Sequence, residues 1–251
     1  MVFNDYAKYY NLLYKDKDYN AETSHVHSLI NQFAERPVKT VLDIGCGTGT
    51  HAHYMTLLGY QMTGIDISRE MINQALAKKI SNANFEVENA TSFSLNKKFD
   101  AITSLFHVLS YQTATEDVQA LINNVGKHLD ESGLFIFDFW YGPAVLGEKP
   151  SFKVKRLEDD EIKVTRITEP VLKVNENIVD VNFELIIHNK HHNQFSTVKE
   201  VHPMRYYFKP EIQLLLVNAG FQLLYFNEWM TGHSPSEHTW GVCCVASKKM
   251  K

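Results

Sequence analysis

The chain has 251 residues, 44% of them hydrophobic and 22% charged, enough for one large domain or a core domain carrying an insertion. That composition excludes a collagen-like repeat, a wholly disordered chain and a membrane bundle. A formal net charge of −4 gives no general electrostatic footprint for a nucleic-acid backbone, which is bound through Lys and Arg.

The amino terminus lacks a basic segment followed by a long apolar one. No apolar run approaches the ~20 residues needed to span a bilayer, so a cytoplasmic protein without membrane contact is expected. The three cysteines, Cys46, Cys243 and Cys244, show no CxxC spacing. They suit a reducing compartment and argue against a disulfide framework or a structural zinc site.

The first helical pattern carries Val26, Leu29, Ile30 and Phe33 on one face. VKTVLDIG follows, a continuous β-branched run ending in glycine, as in a strand buried on both faces of a parallel sheet. A helix is expected from Thr50 to about Leu58, closed by Gly59, and then a strand at YQMTGID. Ser68 should cap a helix that buries Met71, Ile72, Ala75 and Leu76. NFEVE and FDAITSLF read as the third and fourth strands. Glu116 and Asp117 open a helix burying Val118, Leu121, Ile122, Val125 and Leu129, and after a turn at Gly133 the strand LFIFDFW closes the series. Strand and helix alternate from residue 38 to residue 141, which predicts a doubly wound, Rossmann-like, mostly parallel α/β sheet.

From about Ser151 to Tyr207 the texture changes to period-two stretches (FKVKRL, IKVTRIT, IVDVNFELIIH, FSTVKEVH) separated by polar turns. This predicts an inserted antiparallel β cap over residues 149–205, with residues 1–148 and 206–251 forming the core. The helix PEIQLLLVNAG and the strands FQLLYFNEW and TWGVCCVAS return to the core.

The most informative segment is Asp43-Ile-Gly45-Cys46-Gly47-Thr-Gly49, at the junction of the first strand and its helix. The spacing is GxGxG rather than the GxGxxG of dinucleotide sites. A carboxylate two residues before the glycines repels a phosphate but suits a ligand bearing an ammonium group. Asp66 ends the second strand, where an acceptor can take both hydroxyls of a ribose. Together these describe an adenosine carrying an amino acid.

VLDIGCGTGTHA and GIDIS resemble motifs I and II of the class I S-adenosylmethionine-dependent methyltransferases. The resemblance implies S-adenosyl-L-methionine as cofactor, with Gly45, Cys46 and Gly47 at its methionine moiety, Asp66 and Ile67 at its ribose, Asn89 and Ala90 at its adenine and Leu105 lining its pocket. The fourth strand ends without the [DNS]-P-P-[YFW] signature of amino-methylating enzymes that act on nucleic-acid bases, so a small-molecule acceptor is expected and nucleic acid is not.

Tyr6-Ala7-x-x-Tyr10-x-x-Leu13-Tyr14 with Lys17-Asp18-Tyr19, FWYGP at 139–143 and EVHPMRYYF look like the nucleotide-linked amino-sugar N,N-dimethyltransferases and their bacterial relatives. By that resemblance Tyr14 and Tyr19 fold over the methionine end of the cofactor, Tyr14 also serves catalysis, and Trp140 and Tyr141 wall the acceptor site. The sequence departs from that family at EWMTGHSPSEHTWG, where an arginine for the nucleotide diphosphate is expected and His233, Glu237 and His238 stand instead. His238 and, from the cap, Arg205 are the remaining candidates for acceptor contacts.

A sulfonium is already a good leaving group, so alignment of the nucleophile supplies much of the rate, and only a hydroxyl acceptor demands a base. His107, just past the fourth strand, stands where such a base belongs and is a candidate both for catalysis and for acceptor binding. His188, His191 and His192 read as a polar hairpin turn rather than a metal site, and no metal is expected. The leading expectation is methylation of a small-molecule amine. The alternatives are an O-methyltransferase using His107 and a non-catalytic cofactor-binding protein, and a homodimer is open to either.

Overall fold

The structure is a computed structural model describing residues 6–248. A 3₁₀ turn at Tyr6–Tyr9 leads into the short helix α1 (Tyr10–Leu13) and then α2 (Tyr19–Phe33). Asp18 caps α2 by accepting the Ala21 N–H at 2.8 Å, and Val26, Leu29 and Ile30 form its buried stripe. Strands β1 (Thr40–Ile44), β2 (Gln61–Asp66), β3 (Ala83–Val87), β4 (Phe99–Ser104) and β5 (Leu129–Tyr141) pair in parallel in the order β3-β2-β1-β4-β5. Helices α3 (Thr50–Leu57), α4 (Arg69–Ala77) and α5 (Thr115–His128) connect them.

The sheet is covered on both faces. One hydrophobic core joins Val26, Leu29 and Ile30 of α2, Met55 of α3 and Ala75 of α4 to β1, β2 and β5. The other joins α5 to helix α7, introduced below, across β4 and β5. Cys243 and Cys244 are buried on the last strand, and the cysteines are unpaired. No helix among the described residues is long and apolar enough to cross a membrane.

Two local expectations change. Leu76 is 52% exposed: on α4 the stripe is set by Met71, Ile72 and Ala75, and Leu76 lies too far round the helix from its centre to reach the sheet. Strand β5 starts at Leu129 rather than after a turn at Gly133. Phe99 pairs with Leu129 but Ala101 with Leu134, so the extra residues, including Ser132 at φ +58°, form an irregularity inside the strand.

After a short helix α6 (Gly142–Gly147), strands β6 (Lys153–Glu158), β7 (Ile162–Lys173), β8 (Ile178–Asn189) and β9 (Gln194–Tyr207) pair antiparallel in sequence. Helix α7 (Lys209–Asn218), β10 (Phe221–Glu228) and β11 (Gly241–Lys248) return to the main sheet, with β11 antiparallel to β5. One feature of this layout escapes the periodicity. The end of β9 pairs in parallel with the end of β5, Trp140 opposite Tyr206 and Tyr141 opposite Tyr207. Strand β11 still flanks Trp140 on one edge, while β4 stops opposite Phe137, so β9 occupies the edge that β4 vacates. The inner face of the cap is thereby held over the carboxyl ends of the parallel strands.

The loop after β1 turns at Gly45, whose φ is +71° and whose N–H bonds Ile65 O at 2.8 Å. A Cβ there would overlap the Val108 methyls, whereas one at Gly47 (φ +54°) meets nothing within 4 Å. Gly45→Ala is expected to destabilise the fold by about 2–4 kcal/mol, combining left-handed strain with overpacking, and Gly47→Ala by only about 1 kcal/mol. Urea denaturation of the two variants checks this difference.

Candidate active site

A cavity of about 630 Å³ lies between the ends of the parallel strands and the inner face of the cap. Its cofactor half is built from backbone. Asp66 accepts the Gly47 N–H at 2.9 Å and the Ser68 N–H at 2.8 Å, so one carboxylate fixes both the glycine loop and the start of α4. Burial pushes its carboxyl upward, against the pull of those two bonds. Gly45, Cys46, Gly47, Asp66, Ile67, Asn89, Ala90, Leu105, Tyr14 and Tyr19 all stand on the cavity wall, and the open space beside Gly47 leaves its backbone approachable. These residues fit an adenosine linked to an amino acid.

Asp43 is placed differently from expectation. It does not line the cavity. It is buried beneath the glycine loop, where it accepts the Thr103 hydroxyl at 2.8 Å. Burial raises its carboxyl, and the nearby His51 opposes the rise. Its effect on a ligand is therefore through the loop and the field, without a direct contact.

His107 follows Phe106, and both adopt left-handed backbone, φ +64° and +63°. Two such non-glycine residues in succession are strained and must be held in place. Asp138 of β5 does this: its carboxylate accepts the His107 N–H at 3.0 Å, and its second oxygen lies 2.7 Å from His107 Nδ1, though out of line for a hydrogen bond. Asp138 is buried and His107 partly exposed on the cavity wall, so a carboxylate lies close behind the histidine ring while holding its backbone. The signal for Asp138 was present in the sequence as the one charged residue in the otherwise apolar run LFIFDFW.

The aromatic wall comes from three parts of the chain. Trp140 hangs from β5, its backbone N–H donating to Ser110 Oγ at 3.1 Å, and its ring packs edge-on to Trp240. Tyr14 lies edge-on to Phe106, at 5.0 Å between ring centres, with its hydroxyl 3.3 Å from that of Tyr6. Phe183, Tyr10 and Tyr111 complete the enclosure. Tyr19 packs against His51, whose Nε2 is 2.8 Å from Glu22 Oε2, and Lys17 contacts the same Glu22 oxygen while lying over the rings of Tyr19 and Phe106.

Three residues expected at the acceptor site lie elsewhere. Tyr141 packs edge-on to Phe226 in the core, because β5 alternates and Trp140 takes the cavity side. Arg205 binds Glu211 at 2.6 Å, Thr113 O at 3.1 Å and the Thr115 hydroxyl at 3.1 Å, an internal tie between β9 and the helices of the core. His238 is exposed and pairs with Glu148. Among the described residues no cluster is arranged to hold a metal ion.

Residues 41–133 match a family model described as a methyltransferase domain. A dTDP-3-amino-3,4,6-trideoxy-α-D-glucopyranose N,N-dimethyltransferase from Streptomyces venezuelae is 27% identical over 91% of this chain and 94% of its own. Among solved structures, an S-adenosylmethionine-dependent methyltransferase from Clostridium acetobutylicum superposes with a TM-score of 0.82 at 20% identity, covering 98% of this chain and all of the other. Streptomyces venezuelae DesVI superposes with a TM-score of 0.81 at 22% identity, covering 98% and 99%.

The Glu22 carboxyl is subject to burial, which raises it, but the bond from His51 and the charge of Lys17 prevail and bring it from 4.5 to about 2. Its stabilising contribution is thus complete above about pH 4.5 and lost as pH falls towards 2. Glu22→Gln is expected to cost about 1–2 kcal/mol at pH 7, solvent screening keeping the figure below the full shift, and almost nothing near pH 2. Paired urea melts at the two pH values measure it.

Proposed function

We propose that this S-adenosylmethionine-dependent methyltransferase methylates the amine of a small molecule, an amino sugar or a similar secondary metabolite. The observation that carries the reading is the continuity of one cavity from the Gly45–Gly47 loop and Asp66 to the aromatic wall of Tyr14, Tyr111, Trp140 and Phe183. When bound, S-adenosylmethionine supplies a methyl group activated by its positively charged sulfur.

The chain's part is then placement. Asp66 stands ready to accept from ribose hydroxyls, and the glycine loop presents backbone rather than side chains. The aromatic faces attract cations, whether the sulfonium or a protonated amine. Among the described wall residues the charged side chains include Asp66, Glu88 and Asp117, with no lysine or arginine. Arg205 is bound internally and His238 lies at the surface, so these features support an acceptor bearing its own positive charge over one bearing a diphosphate. The similar Streptomyces venezuelae enzyme is named for an amine acceptor, which supports the same class of nucleophile.

A second reading, O-methylation, is favoured by one observation, the His107–Asp138 pair at 2.7 Å. A hydroxyl must lose its proton as it attacks, and a histidine with a carboxylate close to its ring suits that task.

Release of S-adenosylhomocysteine tests both readings, using glucosamine and dTDP-3-amino-3,4,6-trideoxyglucose as amines and their hydroxyl counterparts as alternatives. Turnover of an amine is expected, and turnover confined to the hydroxyl compounds overturns the leading reading. His107→Ala should lower amine turnover only several-fold but cut hydroxyl turnover by about 10²–10⁴. For the cofactor half, Asp66→Ala should weaken S-adenosylhomocysteine binding by about 1.5–3 kcal/mol in a calorimetric titration, as expected for lost hydrogen bonds to a charged group. Unchanged affinity removes Asp66 from the ribose.

A further inference from the structure

The inner face of the cap carries a polar chain that packing does not require. Along β9 the inward positions alternate through Val198, Glu200, His202, Met204 and Tyr206, opposite Leu185, Phe183, Val181 and Val179 of β8. An apolar sheet face gains nothing from a buried histidine and glutamate in its middle, because each must be desolvated and then satisfied. Yet the His202 side chain is 1% exposed and that of Glu200 10%. His202 Nε2 lies 3.1 Å from Glu200 Oε2, and its Nδ1 lies 3.1 Å from the hydroxyl of Tyr111. Both His202 and Tyr111 stand on the cavity wall, and Tyr111 packs in the same cluster as Trp140.

We infer that Tyr111, His202 and Glu200 form a proton relay that discharges the acceptor's ammonium group before methyl transfer. This rests on the amine reading above. An ammonium has no lone pair to offer, so a bound amine in its charged form must first lose a proton. A Glu200 carboxylate accepts only from Nε2–H, which leaves Nδ1 with its lone pair and makes Tyr111 the donor to it. Tyr111 stands on the cavity wall, and in this relay its hydroxyl oxygen is the atom that accepts from the ammonium. As the ammonium gives its proton to that oxygen, the Tyr111 proton passes to Nδ1. The amine becomes neutral, Tyr111 is regenerated, and the charge resides on a His202 imidazolium beside Glu200.

The surroundings suit this role. Burial lowers His202 below its ordinary range, so the ring is neutral at neutral pH, while Glu200 opposes that shift and is the group that stabilises the ring when it takes a proton. Burial also pushes Tyr111 well up, which favours a concerted shuttle over a free phenolate. Among the described residues, the groups that bear on His202 include Glu200 from its own strand, Tyr111 from the 3₁₀ turn at Val108–Tyr111, the rings of Phe183 at 4.9 Å and Tyr6 at 5.3 Å and, beyond Tyr6, Arg166 of β7, which donates to the Tyr6 hydroxyl at 3.0 Å. Glu200 has a structural task as well, accepting the Tyr6 N–H at 3.0 Å through its other oxygen. The test must therefore separate proton transfer from anchoring.

Tyr111→Phe and His202→Gln are compared with the parent enzyme on glucosamine across pH. An amine of this kind ionises near the range of an α-amino group, about 7.7–8.0. Without the relay only the amine already neutral in solution reacts. Each variant should then match the parent within about twofold at pH 9, fall about tenfold below it at pH 7, and lose a further tenfold per pH unit. A purely structural role lowers activity in parallel at every pH.

A second readout needs no turnover. In ¹⁵N-histidine-labelled protein with S-adenosylhomocysteine, His202 is expected to be neutral at pH 7 and protonated on Nε2, a preference that Glu200→Ala abolishes. Parallel pH profiles, or a proton resident on Nδ1, overturn the relay while leaving amine methylation standing. A parent enzyme that methylates no amine overturns the acceptor reading and the relay with it.

Discussion

The unequal length of two neighbouring strands governs the site. Strand β4 ends at Ser104 and β5 continues to Tyr141, so the last residues of β5 have one free edge that must find hydrogen-bond partners. Strand β9 supplies them opposite Trp140 and Tyr141. In doing so it bends the whole antiparallel cap back over the carboxyl ends of β1, β2 and β4, where an open α/β sheet receives its ligands. Trp140 stands at this seam, flanked by β11 on one edge and β9 on the other, and its side chain can only point to one face. The cavity, the aromatic wall and the buried polar chain on β9 all follow from that one pairing.

A second constraint operates on the chain segments between strands. The loop after β1 and the turn after β4 touch each other through Gly45 and Val108, and each contains backbone that ordinary residues avoid. In the first loop glycine removes the cost. In the second, Phe106 and His107 bear it, and Asp138 holds the distorted turn from behind. Such strain is retained where a side chain must be aimed, and here it aims His107 and Phe106 at the cavity while bringing Tyr111 within reach of β9.

Much of this was legible from residue order. Continuous β-branched runs, glycine at strand ends and helical stripes located every core strand, and the GxGxG spacing with Asp66 marked residues that line one end of the cavity. Period-two alternation marked the antiparallel strands β6 to β9. What the sequence obscured was set by long-range pairing. Nothing local tells that Tyr207 meets Tyr141, so the side of β5 on which Trp140 or Tyr141 would fall could not be read, nor the fact that Arg205 would be engaged by Glu211 and the Thr113–Thr115 segment. Asp43 looked like a ligand contact because it adjoins the glycines. The β1–β4 register instead sets it directly beside Thr103, whose hydroxyl it accepts. The segment EVH carried a resemblance but no role, since Glu200 and His202 acquire a partner only when Tyr111 arrives from 91 residues away.

The charge distribution completes the argument in a way that net charge conceals. A formal value of −4 says little about any one surface. Around the cavity, however, the cations are drawn behind the wall: Arg166 sits against the rings of Tyr14 and Phe183, Lys17 over Tyr19 and Phe106 and beside Glu22, and Arg205 is tied to Glu211. Asp66, Glu88, Asp117 and the aromatic groups are among the residues that line the cavity itself. An enclosure arranged this way lowers the energy of positive charge within it and raises that of a phosphate, through fields strengthened by the low local dielectric. It would therefore hold a sulfonium and an ammonium side by side only at the cost of their mutual repulsion. On the proposed amine reading, removing one proton from the ammonium would relieve that repulsion and create the nucleophile in the same event, which is the step the proposed relay on the cap would supply.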